Sequence, residues 1–178
     1  SQNSYSPEAH HWAVENNLTI VSGTDAHHPL ALYTDYTRGE HRPVTLVFAK
    51  ERSEEAVKES LIAHRTAVFG NGYVYGSEEV LKPLLEACLE ITITSITDKK
   101  LVLKVINKSS IPVTLSKVEG ESQNLSYQRE LTIKPFDETV LTFSQNAGKH
   151  NLYDIAFKIL NWHTDAETPL NWNFNYKK

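Results

Sequence analysis

The segment Leu170-Asn171-Trp172-Asn173-Phe174-Asn175-Tyr176 decides the fold of the carboxyl-terminal half of the chain. Apolar and polar side chains alternate along it, which is the period of a β-strand that buries one face. Similar strand patterns are predicted upstream at residues 89–93, 101–105, 113–118, 127–134, 138–143 and 153–160. About seven short strands in half of a chain of this size predict an immunoglobulin-like β-sandwich.

Upstream of residue 88 the pattern changes to helices interleaved with short apolar strands. Ser6, Pro7 and Glu8 predict a helix start, because serine caps helices, proline fits the first helical position and an acid favours the positive helix end. This helix is expected to end at Asn16 and Asn17. Further helices are predicted from Ser53 and from Ser77, the second bent or shortened by Pro83, and buried strands at residues 18–21, 44–49 and 66–69. This alternation predicts parallel strand pairing.

The two patterns divide the chain, and the predicted fold class is α+β. Residues 1–88 are expected to form an α/β part, and residues 89–178 a β-sandwich domain. The boundary falls near residues 86–90 without a flexible linker, so we expect the two parts to pack directly.

The composition excludes several classes of protein. The 22 acidic residues outnumber the 18 basic ones without a long run of either sign, which argues against a nucleic-acid-binding footprint. No stretch approaches the roughly 20 apolar residues of a transmembrane helix, and the amino terminus lacks the regions of a signal peptide. We expect a soluble protein, cytoplasmic or bacterial extracytoplasmic. The single Cys88 excludes an internal disulfide, and the absence of methionine predicts a processed or cut piece of a longer chain.

Asp25 and His27 are the residues with the clearest predicted chemistry. They follow the predicted strand at residues 18–21, and Gly23 is expected to let the chain turn sharply there. Parallel α/β folds place their sites at this end of a strand. A carboxylate and an imidazole two residues apart can converge on one divalent ion, and this pair of donors suits Zn, Mn or Fe. The alternative is a polar loop, in which Asp25 caps backbone amides and His27 is solvated.

Residues 17–27, with the sequence Asn-Leu-Thr-Ile-Val-Ser-Gly-Thr-Asp-Ala-His, resemble the final motif of the PHP (polymerase and histidinol phosphatase) family. The resemblance covers residues 5–90 and implies the carboxyl-terminal part of a distorted (β/α)7 barrel that binds metal ions and hydrolyses phosphoesters. It also implies that Asp25 and His27 are metal ligands at the end of the last barrel strand. Bacterial proteins that resemble this region carry a further β-rich domain at the carboxyl end.

The chain departs from the family pattern in its other ligands. A PHP site begins with a His-x-His pair, whereas His10-His11 and His27-His28 are adjacent pairs. His10 and His11 are interpreted as a helix surface with one partly packed ring. Because two ligands cannot hold a catalytic ion with its water and substrate, we expect the isolated chain to be inactive. The expected substrate of the complete protein is a small phosphoester.

Several cationic residues are weaker candidates. His28 and Arg42 are predicted to contact substrate. Arg38, His41 and Arg65 could join Arg42 at a phosphate-binding mouth, since guanidinium groups match phosphate geometry. Solvated charges on loops or helix faces are the preferred explanation of these residues.

The alternative function is a non-enzymatic β-sandwich module that binds glycan or protein. Trp162 and His163, with the stripe from Trp172 to Tyr176, could form an aromatic platform, although strict alternation favours a sandwich core. The sandwich could instead cover the barrel or mediate dimerisation, which leaves a homo-oligomer open. Cys88 lies on an apolar helix face and is expected to be inert.

Overall fold

The computed structural model describes residues 5–24, 26–29, 32, 34, 35, 41–97, 99–118, 125–145 and 154–175. These residues are mostly β-sheet with few helices. The helices are α1 (Pro7–Glu15), α2 (Glu54–Ile62) and α3 (Glu78–Cys88). The strands are β1 (Val44–Val47), β2 (Thr66–Gly70), β3 (Tyr73–Gly76), β4 (Leu89–Ile96), β5 (Lys100–Asn107), β6 (Val113–Lys117), β7 (Leu125–Ser126), β8 (Glu130–Ile133), β9 (Glu138–Gln145), β10 (Asp154–Asp165) and β11 (Thr168–Asn175). The chain divides into a first unit, Ser1–Leu81 with His163–Thr168, and a second unit, Lys82–Trp162 with Pro169–Lys178.

Helices α1 and α2 begin as their sequences predict. The Ser6 hydroxyl accepts a hydrogen bond from the Ala9 amide at 3.3 Å, and Pro7 is the first helical residue. The Ser53 hydroxyl accepts from the Ala56 amide at 3.2 Å. Each serine therefore satisfies one of the free amides that a helix start leaves exposed.

Both helices end in a Schellman motif, in which a residue in the left-handed conformation reverses the chain. Asn17 has φ 51° after α1, and the Leu18 amide donates to the Ala13 carbonyl at 2.8 Å. After α2, His64 has φ 55° and occupies the equivalent position. The predicted end of the first helix at Asn16 and Asn17 is confirmed.

Strands β1 and β2 of the first unit pair antiparallel, with Val47 opposite Thr66. The prediction of parallel pairing is therefore wrong. The chain leaves β1 after Val47, forms α2 and returns at the same end of the sheet, where the Phe48 amide donates to the Arg65 carbonyl at 3.0 Å. A parallel partner would require the connection to return to the end where β1 begins. Strand β1 is also only half-buried, and not buried as predicted.

Strand β3 is one of the elements that the sequence analysis did not predict. It forms an antiparallel hairpin with β2, in which Gly70 lies opposite Tyr73. Between these strands Asn71 has φ 53° and Gly72 has φ 80°. Positive φ at two successive residues defines a type I′ turn, whose twist matches that of the two strands it joins. Asn-Gly is the preferred sequence for this turn. The residues of this turn therefore carry a signal for the hairpin in the sequence, although its second strand is not predicted.

Helix α3 runs through Pro83 as one element, so the predicted shortening is wrong. Leu81, Leu85 and Cys88 are all buried, at the spacing that places them on one helix face. Burial raises the pKa of the Cys88 thiol, which agrees with the expectation that it is inert. No helix among the described residues is long and apolar enough to cross a membrane.

The second unit contains two facing sheets. One has the strand order β4-β5-β9-β7, and the other joins β11 to β10, β10 to β6 and β6 to β8. On β5, Leu101, Leu103 and Val105 point inward and are at most 1% exposed. The ring centroids of Phe143 on β9 and Phe157 on β10 lie 6.1 Å apart, so the sheets meet across an apolar core. The predicted sandwich is confirmed, and β10 extends beyond its predicted end at residue 160.

Candidate functional site

The segment that carries the predicted ligands follows α1 and runs beside β1 and β2. The Thr66 hydroxyl donates to the Ile20 carbonyl at 2.9 Å, and the Ser22 amide donates to the Thr45 hydroxyl at 2.9 Å. Side chains thus take backbone groups that a strand would use for its ladder. The predicted buried strand at residues 18–21 is wrong, because these residues form no strand.

Gly23 does not have the role that the sequence predicts for it. The chain has no turn or bend there, and its φ lies outside the left-handed region. A Cβ at this position would meet no heavy atom within 4 Å. Neither backbone conformation nor close packing therefore requires glycine at this position.

The predicted ligands and substrate contacts are placed only in part. Asp25 lies outside the described residues. His27, His28 and Arg42 are all exposed. Within the described ranges, no three His, Cys, Asp or Glu side chains come together as a metal site. Because zinc sites take three or four protein ligands, this part of the chain alone does not fit a complete divalent-metal site. The metal-binding role of Asp25 and His27 and the substrate contacts of His28 and Arg42 stay predictions.

Arg65 is a weaker candidate for phosphate binding. Its side chain bonds to other groups of the same unit. Its Nε donates to the Phe48 carbonyl at 3.3 Å, and its Nη2 donates to the Ser60 hydroxyl at 3.1 Å. The same Nη2 lies 3.1 Å from the Glu59 carboxylate, and this hydrogen bond lowers the pKa of Glu59. These contacts give Arg65 a structural role at the end of α2. Arg38 lies outside the described residues.

The adjacent histidines of α1 lie in different surroundings. His10 is buried, and its Nδ1 shares a hydrogen bond of 2.9 Å with the Tyr5 hydroxyl. Burial lowers the pKa of His10, so the neutral ring is favoured. Tyr5 also stacks on Tyr75 with 4.3 Å between ring centroids, and burial raises the pKa of Tyr75 to about 12. The predicted packed ring is therefore His10, which holds α1 through an aromatic cluster.

His11 lies on the exposed face of α1 and forms an ion pair that the sequence does not reveal. Its Nδ1 is 3.0 Å from Asp165 Oδ2, and its Nε2 is 3.4 Å from Glu15 Oε1. The hydrogen bond to Asp165 raises the pKa of His11, and the charges of Asp165 and Glu15 add to this effect. Burial alone would raise the pKa of Asp165, but hydrogen bonds from the Ala166 amide and His11 lower it.

The Asp165→Asn substitution is expected to return the pKa of His11 toward its ordinary value of 6.5. In the folded protein the raised pKa means that the ion pair stabilises the fold fully below the unfolded pKa of His11. This stabilisation is lost as the pH rises through the folded pKa. NMR titration of the His11 ring protons measures the change, with Glu8→Gln on the same helix as the control. An unchanged His11 pKa in Asp165→Asn would contradict the assignment.

An apolar groove of about 530 Å³ lies between α1, the segment after it and the β2–β3 hairpin. Trp12, Leu18, Val21 and Tyr75 are among the residues that line it. No described lining residue is Asp, Glu, Lys or Arg. The groove reaches Gly23, two residues before Asp25 in the chain. Its described lining therefore comes close to the predicted ligands in the sequence but lacks the lysine and arginine side chains that would bind a phosphate.

The aromatic platform that suggested glycan binding is not formed. Trp162 is 0% exposed, and its Nε1 donates to the Pro112 carbonyl at 3.3 Å. Trp172 is also buried, and its ring stacks on Phe157 with 5.8 Å between centroids. Since a sugar platform needs accessible ring faces, that interpretation is wrong for both tryptophans. The preferred interpretation of Trp172 as a core residue is confirmed. Tyr176 lies outside the described residues.

Comparison with known proteins assigns the second half of the chain. Residues 89–175 match the Ig-like domain family DUF5001. The match begins at the first residue of β4 and covers the strands of both facing sheets. It agrees with the sandwich architecture that the strand pattern predicts.

A solved structure resembles nearly the whole chain, including the Ig-like domain. It is a two-domain protein from Bacteroides vulgatus that contains a predicted PHP-like metal-dependent phosphoesterase. The two share 30% sequence identity with a TM-score of 0.91 over 97% of this chain. The matched part is 50% of the Bacteroides protein, so this chain spans about half of its length.

A second structure and the curated proteins add no further assignment. A FixG-related protein from Vibrio parahaemolyticus matches 51% of this chain and 98% of its own, with 13% identity and a TM-score of 0.27. This similarity is too low to carry an argument. No curated protein matches the sequence.

Sequence reasoning placed the Ig-like domain but missed two features of the first unit. His11 and Asp165 are 154 residues apart, so no local spacing relates them. The groove has a local signal, since Trp12, Leu18 and Val21 are exposed apolar residues that line it and lie close together in the sequence. Exposed large apolar side chains close together indicate a surface that another element covers.

Proposed function

We propose that this chain is the carboxyl-terminal portion of a PHP-type metal-dependent phosphoesterase with an appended Ig-like domain. The match over 97% of the chain to the Bacteroides protein carries the proposal. That protein has two domains, and residues 89–175 of this chain match an Ig-like family. We therefore infer that the preceding residues correspond to part of the PHP-like domain.

In this proposal Asp25 and His27 supply two ligands to a Zn, Mn or Fe ion, and further ligands come from other parts of the domain. The ion would activate water for the hydrolysis of a phosphoester. His28 and Arg42 would contact the substrate, and a guanidinium group suits a phosphate because it can donate two parallel hydrogen bonds. The isolated chain is expected to lack activity, because the residues that it contributes do not complete the site.

The His27→Ala substitution tests this proposal in a protein that carries the complete domain. We expect metal affinity to fall by at least about tenfold, as the loss of one ligand implies, with a parallel loss of phosphodiester cleavage. Asp25→Ala should act in the same way. His11→Ala is the matched control, since His11 is an exposed histidine with a structural partner. If both ligand variants kept full metal content and cleavage, the proposal would be wrong.

A further inference from the structure

Helix α1 is attached to residues His163–Thr168 at the end of the hairpin between β10 and β11, which we call the hairpin tip. The Nδ1 of His10 shares a hydrogen bond of 2.9 Å with the Tyr5 hydroxyl, and the Glu167 amide donates to the same hydroxyl. The adjacent His11 forms its ion pair with the same tip. Two neighbouring histidines therefore hold one helix against one turn, the first through Tyr5 and the second directly.

The His10 ring suits its surroundings only in the neutral form. The residue is 6% exposed, and its ring lies at 86° to that of Tyr75 with 5.7 Å between centroids. Its Nε2 is buried and has no hydrogen-bond partner among the described residues. A charged imidazole donates from both nitrogens, so protonation would leave a buried, charged N–H group without an acceptor.

The charged and titratable groups around His10 do not supply that acceptor. The charge of Asp165 on β10 favours a charged His10, but Asp165 Oδ1 already accepts from the Ala166 amide at 2.6 Å. Asp165 Oδ2 lies 3.0 Å from His11 Nδ1. His163 on β10 and His11 on α1 both oppose a further positive charge at His10. Burial is the largest of these effects, and it lowers the pKa of His10.

We propose that α1 and the hairpin tip form an acid-sensitive latch, which is closed while His10 is neutral and opens when acidification charges its ring. The ring takes up one proton from solvent, and α1 moves away from the tip until both ring N–H groups reach water. The inference is independent of the proposed function, since no predicted metal ligand takes part. Because His10 and Trp12 also line the apolar groove, opening of the latch displaces one wall of that groove.

The two histidines respond to pH in opposite directions. The folded-state pKa of His10 is lowered from 6.5, so its contribution to stability is present above pH 6.5 and is lost as the pH falls through the folded pKa. The pKa of His11 is raised from 6.5, so its contribution is present below pH 6.5 and is lost as the pH rises. The ion pair of His11 is solvent-exposed and therefore weak, so the buried ring decides the response to acid.

Hydrogen exchange of the 178-residue chain, measured from about pH 7.5 to about pH 5, tests the latch. Each exchange rate is divided by the intrinsic rate at the same pH, and the amides of β2 in the first unit are the reference. We expect the protection of α1 relative to β2 to fall at least about fivefold on acidification, because a buried charged donor without an acceptor is costly.

The same substitution at the two adjacent histidines separates the latch from general effects of acid. His10→Asn keeps a hydrogen-bonding atom near the position of Nδ1 but does not titrate. In this variant the relative protection of α1 should change by less than about twofold over the pH range. His11→Asn should instead enlarge the fall, because it removes an ion pair that opposes opening. His10→Phe is the second variant, since it keeps an aromatic ring in the cluster and does not titrate.

Four outcomes would overturn the inference. The first is constant relative protection of α1 across the pH range. The second is an equal loss of protection in α1 and β2, which would mean that the whole unit unfolds. The third is a fall that persists in both His10→Asn and His10→Phe. If neither variant folds, NMR titration of the unmodified chain decides, since the midpoint for opening must match that of the His10 ring protons. A midpoint that follows His163 instead is the fourth.

Discussion

Replacing Trp162 with alanine is expected to destabilise the second unit by about 3–5 kcal/mol, the cost of removing a large buried ring without collapse of the site. Trp162 is 0% exposed, and its indole nitrogen donates to the Pro112 carbonyl at 3.3 Å. The substitution removes apolar contacts in all directions and one hydrogen bond. Urea unfolding followed by far-UV circular dichroism measures the loss as a lower midpoint at unchanged slope.

The matched control is Trp12→Ala, the same substitution at a residue that is 59% exposed. Its expected effect lies within about 0.5 kcal/mol, because a mostly exposed side chain contributes little to the folded state. Equal effects of the two substitutions would contradict the placement of Trp162 in the core. Glycan binding that is lost specifically in Trp162→Ala at full stability would contradict it as well.

The second large effect is expected for Asn107→Ala, which should cost about 2–4 kcal/mol, because buried partners left unsatisfied cost about 1–3 kcal/mol each. Asn107 is 0% exposed. Its Nδ2 donates to the Ile111 carbonyl at 2.7 Å, and its Oδ1 accepts from the Ser109 amide at 3.0 Å. The side chain thus holds the loop between β5 and β6. Thermal or urea unfolding measures the loss, with the exposed Asn173→Ala as the control.

Asn107→Asp separates the hydrogen bonds from simple loss of volume. At neutral pH the introduced carboxylate can still accept from Ser109 but faces the Ile111 carbonyl without a proton to donate. Its buried position would raise its pKa, so the protonated form is stabilised in the folded state. The deficit relative to the unmodified protein should therefore shrink as the pH falls through that raised pKa. A deficit independent of pH would contradict the geometry.

The sequence predicts the Ig-like domain well because the information there is local. On β5, alternate residues are buried, and the alternation in the amino-acid sequence matches this pattern directly. The helix starts at Ser6 and Ser53 are equally local, since a hydroxyl three residues before an amide suffices to cap it.

The errors concern features set by residues distant in the chain. Residues 18–21 have strand-forming side chains, but hydroxyls from elsewhere in the sequence bond to the backbone here. Thr66 bonds to the Ile20 carbonyl, and Thr45 bonds to the amide of the adjacent Ser22. The direction of β2 depends on where the chain re-enters the sheet after α2, which the period of the side chains does not encode. Strand β3 has only four residues, so its side-chain pattern is too short to predict a strand. The Asn71-Gly72 turn before it was the available sign of a hairpin.

Of the candidate site, the sequence predicts only the two residues that lie close together in the chain. Asp25 and His27 can be read as ligands because two donors lie two residues apart. In the proposal the remaining ligands come from other parts of the domain, so no spacing within these residues can reveal them. The His11 and Asp165 pair illustrates the same difficulty, since no sequence pattern relates two residues that lie 154 positions apart.

The division of the chain into two units also limits where the chain can be cut when one unit is exchanged. The first unit includes His163–Thr168, which lie at the tip of the hairpin between β10 and β11, and the rest of that hairpin belongs to the second unit. A single cut near residue 82 would thus remove Asp165, the partner of His11, from the helix that it holds. An exchange of the first unit that leaves this returning tip behind is therefore expected to lose the ion pair between His11 and Asp165.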